Sequence, residues 1–107
     1  MAQENIAVTN NEAAQRYEAS VDGLLSRLQY ERRGERIVYL HTEVPDALEG
    51  RGIASALART ALEDARARHL TVVPYCPFVR AYLQRHPEYL PLVDRAHRAR
   101  LERTSAL

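Results

Sequence analysis

The chain has 107 residues, with 46% hydrophobic and 27% charged side chains and a formal net charge of +1, the make-up of a globular protein with a real core. That length leaves little room for a second folding unit, so one domain is expected over residues 1–107, and the near-neutral balance gives no reason to expect nucleic acid as a partner. No apolar run is long enough to span a bilayer and Met1 to Asn5 lacks the basic and apolar parts of a secretory signal, so a cytoplasmic location without a membrane partner is expected.

The first half of the chain reads as strands. After a short candidate strand at Ile6 to Thr9, Tyr17, Ala19 and Val21 alternate with Arg16, Glu18 and Ser20. Beyond Asp22-Gly23 the alternation resumes, with Leu24, Leu28 and Tyr30 set against Arg27, Gln29 and Glu31. Asp-Gly between two alternating runs predicts a hairpin with a type I′ turn, which needs positive φ at both central residues. The polar stretch Glu31 to Glu35 predicts a turn, and Arg36 to Val44 a third strand of the meander.

From Ile53 the period changes. Ile53, Ala54, Leu57, Ala58, Ala61, Leu62 and Ala65 fall on one helical face, opposite Arg51, Ser55, Arg59, Glu63 and Arg66, which predicts an amphipathic helix ending near His69. Leu70 to Val73 reads as a short buried strand, parallel to the one before the helix, through a right-handed crossover. Cys76-Pro77 then opens a second helix running to Arg85, with proline at the first helical position. His86-Pro87-Glu88-Tyr89 breaks the chain, and Leu92 to Arg103 predicts a last helix carrying four arginines. The pattern gives an α/β (α+β) fold: an antiparallel meander, a β-α-β crossover and C-terminal helices.

Gly50-Arg51-Gly52-Ile53-Ala54 lies between a strand and a helix. Amides at a helix start lack intrahelical partners, the helix dipole is positive there, and glycines let a ligand approach the backbone, so the loop suits a phosphate group. A plain glycine turn is the competing reading. A dinucleotide fingerprint fits less well, because it needs three glycines after the first strand of a parallel sheet.

Four blocks taken together make the pattern specific: His41-Thr42-Glu43-Val44-Pro45, Gly50-Arg51-Gly52-Ile53-Ala54, Val73-Pro74-Tyr75-Cys76-Pro77-Phe78-Val79 and His86-Pro87-Glu88-Tyr89. In this order they resemble the small single-domain GNAT-related N-acetyltransferase-like family over about Ile6 to Val93, which implies a core at about 6–93 and a helical tail at 94–107. The resemblance implies acetyl-CoA as cofactor and an amine acceptor that the residues do not identify. It implies cofactor contacts from Gly50, Arg51, Gly52, Ile53, Ala54 and Ser55, with the pantetheine arm along the backbone of Thr42 to Val44. The motif's first position, where the superfamily keeps Gln or Arg, here holds Glu49.

Acyl transfer from a thioester to an amine needs a deprotonated nucleophile, a polarised carbonyl and a proton for the departing thiolate. Cys76, at the start of the second helix, is a candidate to accept the acetyl group or protonate the leaving thiol; its other reading is a small buried hydrophobe. As the sole cysteine it excludes an internal disulfide, and no metal site is expected. His41, near the end of the strand before the loop, is a candidate general base or a structural histidine. Glu43, on the same strand face, would orient His41 or act through water. Tyr82 lies where the superfamily keeps a tyrosine near the thiolate. His69 and His97 read as solvated. The resemblance ranks direct attack in a ternary complex, usual in larger GNAT relatives, ahead of a covalent route. Two further readings stay open: a CoA-binding module without catalysis, and a nucleic-acid contact through the arginine-bearing tail from Arg95 to Arg103, which Asp94 and Glu102 interrupt. Monomer and homodimer fit the pattern equally.

Overall fold

The computed structural model describes residues 5–105, so residues 1–4 of the signal reading and 106–107 of the tail lie outside it. One five-stranded sheet carries its strands in chain order: β1 (Thr9–Asn11), β2 (Arg16–Val21), β3 (Leu24–Arg33), β4 (Arg36–Glu43) and β5 (Thr71–Pro74). The first four are antiparallel neighbours, and β5 runs parallel to β4. The β2–β3 turn has positive φ at Asp22 (53°) and Gly23 (74°), as the Asp-Gly pair predicts.

Four strands differ from expectation in their bounds, two of them by one residue: β4 ends at Glu43 instead of Val44, and β5 runs Thr71–Pro74 instead of Leu70 to Val73. The first strand pairs at Thr9–Asn11, not at Ile6–Thr9; Ile6 and Val8 alternate because they pack partly buried on the core, ahead of any ladder bond. β3 runs on to Arg33, because the turn expected over Glu31 to Glu35 tightens to Gly34-Glu35 and Arg33 pairs with Arg36.

Helix α1 (Ile53–Ala67) buries Ile53, Leu57, Ala58, Ala61, Leu62 and Ala65 against β2, β3 and β4. Each large apolar side chain withdrawn there is worth about 1.5–3 kcal/mol of transfer free energy, and the alanines between them let helix and sheet approach closely. The helix closes on His69, whose φ of 57° allows the Leu70 amide to reach the Ala65 carbonyl at 2.9 Å and its own amide to reach Arg66 at 3.2 Å. That paired arrangement satisfies carbonyls a helix end otherwise leaves open.

Helix α2 (Pro77–Arg85) begins after Cys76, with Pro77 where a missing amide is harmless. A 3-10 segment (Pro87–Leu92) follows, and α3 (Arg95–Ser105) starts later than the expected Leu92. The delay has a cause: Val93 forms a parallel bridge with Val72, and the Asp94 amide donates to the Val72 carbonyl at 2.9 Å, so the chain stays extended beside β5 first. α3 is docked through buried Leu101. His97, expected to be solvated, is half-buried, with Nδ1 2.7 Å from the Asp94 carboxylate and its ring against Tyr75. Among the described residues, no helix is long and apolar enough to cross a membrane.

Candidate active site

One extra residue in β4 sets the geometry of the site. Tyr30 pairs with Tyr39 and Gln29 with His41, which leaves Leu40 as a bulge. Before it, Tyr39 faces α1, where its buried hydroxyl donates to the Ala61 carbonyl at 2.6 Å. After it the phase is inverted: Thr42 lies opposite fully buried Leu28 on the inner face, while His41 and Glu43 turn outward with Gln29 and Arg27.

The bulge also marks where β4 and β5 part. Their ladder ends at Tyr39 and Pro74, and the amides of Tyr75 and Cys76 both turn back to the Tyr39 carbonyl, at 3.0 and 2.9 Å. Beyond that point the edge of β4 from Thr42 onward has no β5 partner. Cys76 fills the fork, 1% exposed, with Sγ 3.2 Å from Thr42 Oγ1.

After β4, buried Leu48 anchors the connection, and the chain enters α1 through Gly50 (φ 83°) and Gly52 (φ 79°). The helical ladder begins with the Ala56 amide on the Gly52 carbonyl at 3.0 Å, so the amides of Ile53, Ala54 and Ser55 precede it without intrahelical acceptors. No side chain caps this end. A Cβ built on Gly50 or Gly52 would meet nothing within 4 Å, so open space lies over this stretch of backbone.

That space belongs to a cavity of about 810 Å³. Of the catalytic and cofactor-binding candidates named from the sequence, Thr42, Glu43, Val44, Gly50, Gly52, Ile53, Ala54 and Ser55 line it, and so does Glu49 at the motif's first position. Arg51 does not; its guanidinium reaches across to Asp22 in the β2–β3 turn, at 2.6 Å. Cys76 adjoins the cavity through Thr42. His41 stands on the outer face, its side chain 57% exposed and Nε2 3.6 Å from the Glu43 carboxylate, so its link to the cavity runs through Glu43. Tyr82 is buried with its ring stacked on His86 at 4.1 Å, and desolvation raises its hydroxyl pKa. Phe78 and Arg85, one turn to either side of it on α2, line the cavity where Tyr82 itself does not.

A family model described as GCN5-related N-acetyl-transferase matches residues 16–92. The chain belongs to that family. Mouse and human proteins named NATD1 are each 41% identical to it over 90 residues, a match covering 77% of this chain, 77% of the mouse protein and 75% of the human one. The solution structure of a GCN5-like protein from Staphylococcus aureus shares the fold, with a TM-score of 0.66 at 23% identity over 86% of this chain and 91% of that one. Leu25, Arg27, Phe78 and Arg85 line the cavity of this GNAT-related chain as well, without being expected there from the sequence. The seven-residue spacing of Phe78 and Arg85 put them on one helical face and was the available signal. Leu25 and Arg27 required knowing how β3 meets β4.

Proposed function

We propose that the chain binds acetyl-CoA in this cavity and transfers the acetyl group to an amine. The observation that carries the reading is the conjunction of unpaired amides at Ile53 to Ser55 with an open strand edge at Thr42 to Val44, both lining one cavity. The first suits an anionic diphosphate, since amides and helix dipole act together there. The second offers main-chain groups to the amide-bearing pantetheine arm, as a sheet edge does to an added strand. A thioester held along that edge would lie near the fork, beside Thr42 and Cys76.

Direct attack is the simpler route. The amine nitrogen bonds to the thioester carbonyl carbon, the carbon–sulfur bond breaks, one proton leaves the nitrogen and one joins the departing thiolate. Cys76, hydrogen-bonded to Thr42, is the donor for that thiolate, and Glu43 with His41 behind it carries the amine's proton towards solvent. A covalent route, with the acetyl group first on Cys76 Sγ, ranks second. A buried free thiol fits a reducing, cytoplasmic setting. Cofactor binding without transfer is favoured by two facts: Cys76 is almost fully buried and His41 stands outside the cavity.

Calorimetric titration with acetyl-CoA, CoA and ATP tests the reading. Selective binding of the first two is expected, and no binding of either would overturn it. Turnover with a panel of primary amines then separates transfer from binding alone. Cys76→Ala should lower transfer and leave CoA affinity intact, whereas unchanged turnover would remove Cys76 from the mechanism.

A further inference from the structure

The inference rests on the coenzyme A reading just given. CoA carries anionic groups in two places, a diphosphate and a ribose 3′-phosphate. The start of α1 offers about half an elementary positive charge, enough to favour one of them but not to neutralise both. A side-chain cation would suit the other.

The cavity's charges narrow the choice. It is lined by Arg27, Glu43, Glu49 and Arg85. Arg27 is ion-paired with Glu43 across β3 and β4, and Arg51, next to the glycines, is ion-paired with Asp22. Glu49 is exposed and acidic where it lines the cavity, so it opposes an anion instead of gripping it. Arg85 is different: among the described residues it makes no hydrogen bond or ion pair, and it is exposed. It sits in the last turn of α2, two turns beyond Phe78 on the same face, and that spacing sets it about 10 Å along the helix from the fork end.

We infer that Arg85 binds the 3′-phosphate of CoA, supplying from α2 the side-chain cation that position 49 does not. The guanidinium's planar set of donors matches a phosphate monoester in geometry as well as charge, and the exposed position lets the side chain reorient without breaking an existing bond. The α1 amides keep the diphosphate. Recognition is therefore divided between a backbone grip and a side-chain grip on separate elements, each removable without the other.

The experiment compares wild type, Arg85→Gln and Arg85→Lys for binding of CoA and of dephospho-CoA, which lacks only the 3′-phosphate. Wild type should bind CoA more tightly than dephospho-CoA, and Arg85→Gln should weaken CoA binding by about 10- to 100-fold, the worth of a charge-assisted contact. Dephospho-CoA should bind both proteins alike. Arg85→Lys should recover part of the loss, because it restores the charge without the fork. Equal loss on both ligands, or no loss on either, would overturn the assignment. Failure of wild type to bind CoA at all would instead reject the underlying reading, so the two failures are distinguishable.

Discussion

The two ends of α1 are built on opposite principles. Its carboxyl half is tied down by side chains: Tyr39 donates to the Ala61 carbonyl, Tyr89 donates to Glu63 at 2.6 Å, Tyr17 donates to Asp64, and Arg68 adds a second bond to Asp64 at 3.0 Å. Its amino end has no side-chain cap and opens onto a cavity between two left-handed glycines. The cap residue, Gly52, takes φ 79°, a backbone that a capping Ser or Thr would adopt only under strain, so the amides stay bare and the side-chain bonds of the tied end hold the helix in place. The difference teaches where to look for binding: donors that the fold leaves unsatisfied are the ones a ligand can use.

The largest effect should follow from damage to the tied end. Leu62→Ala, at a position with no exposed surface, should lower unfolding free energy by about 2–5 kcal/mol in urea titration, while the folded fraction keeps its CoA affinity. A matching loss of affinity would show that the two ends are not separable. Gly52→Val acts on the open end. A β-branched residue at φ 79° costs about 1–2 kcal/mol of stability and sets methyl groups over the unpaired amides, so CoA should bind on the order of tenfold more weakly. Unchanged affinity by calorimetry would mean that the open space over the glycines holds no ligand.

The smallest effect concerns Tyr89, whose hydroxyl is pushed up to about 12 by burial and by the Glu63 carboxylate it donates to. The unfolded tyrosine ionises near 10, so between about pH 10 and 12 the unfolded state releases its proton first and stability falls as pH rises. Tyr89→Phe should be less stable than wild type by about 1 kcal/mol at neutral pH, with the gap closing as pH approaches 12. Parallel stability curves would deny the Tyr89–Glu63 bond its place in holding α1.

Most of the architecture was legible in the sequence because it depends on local rules. Asp22-Gly23 demanded its turn, the stripe from Ile53 to Ala65 demanded a buried helix face, and Cys76-Pro77 demanded a helix start. The loop was legible for the same reason, since glycines before a helix imply bare amides. The bulge at Leu40 was not, because register is decided between strands and leaves no mark on β4 alone. That single residue sends His41 outward and Thr42 inward to Cys76, so the partners of the thiol could not be read in advance. Arg85 could not be singled out in the sequence, because what sets it apart is that the neighbouring Arg27 and Arg51 are already ion-paired. The α3 docking was hidden likewise: the bridge from Val93 to Val72 joins residues far apart in the chain.

The most direct test of an anion cradle at the start of α1 is titration of the isotope-labelled protein with CoA, followed by amide NMR. The amide signals of Gly52, Ile53, Ala54 and Ser55 should move most and saturate together, while those around Asp64 at the tied end stay still. Saturable binding with its largest shifts elsewhere, and none at these four amides, would contradict the account.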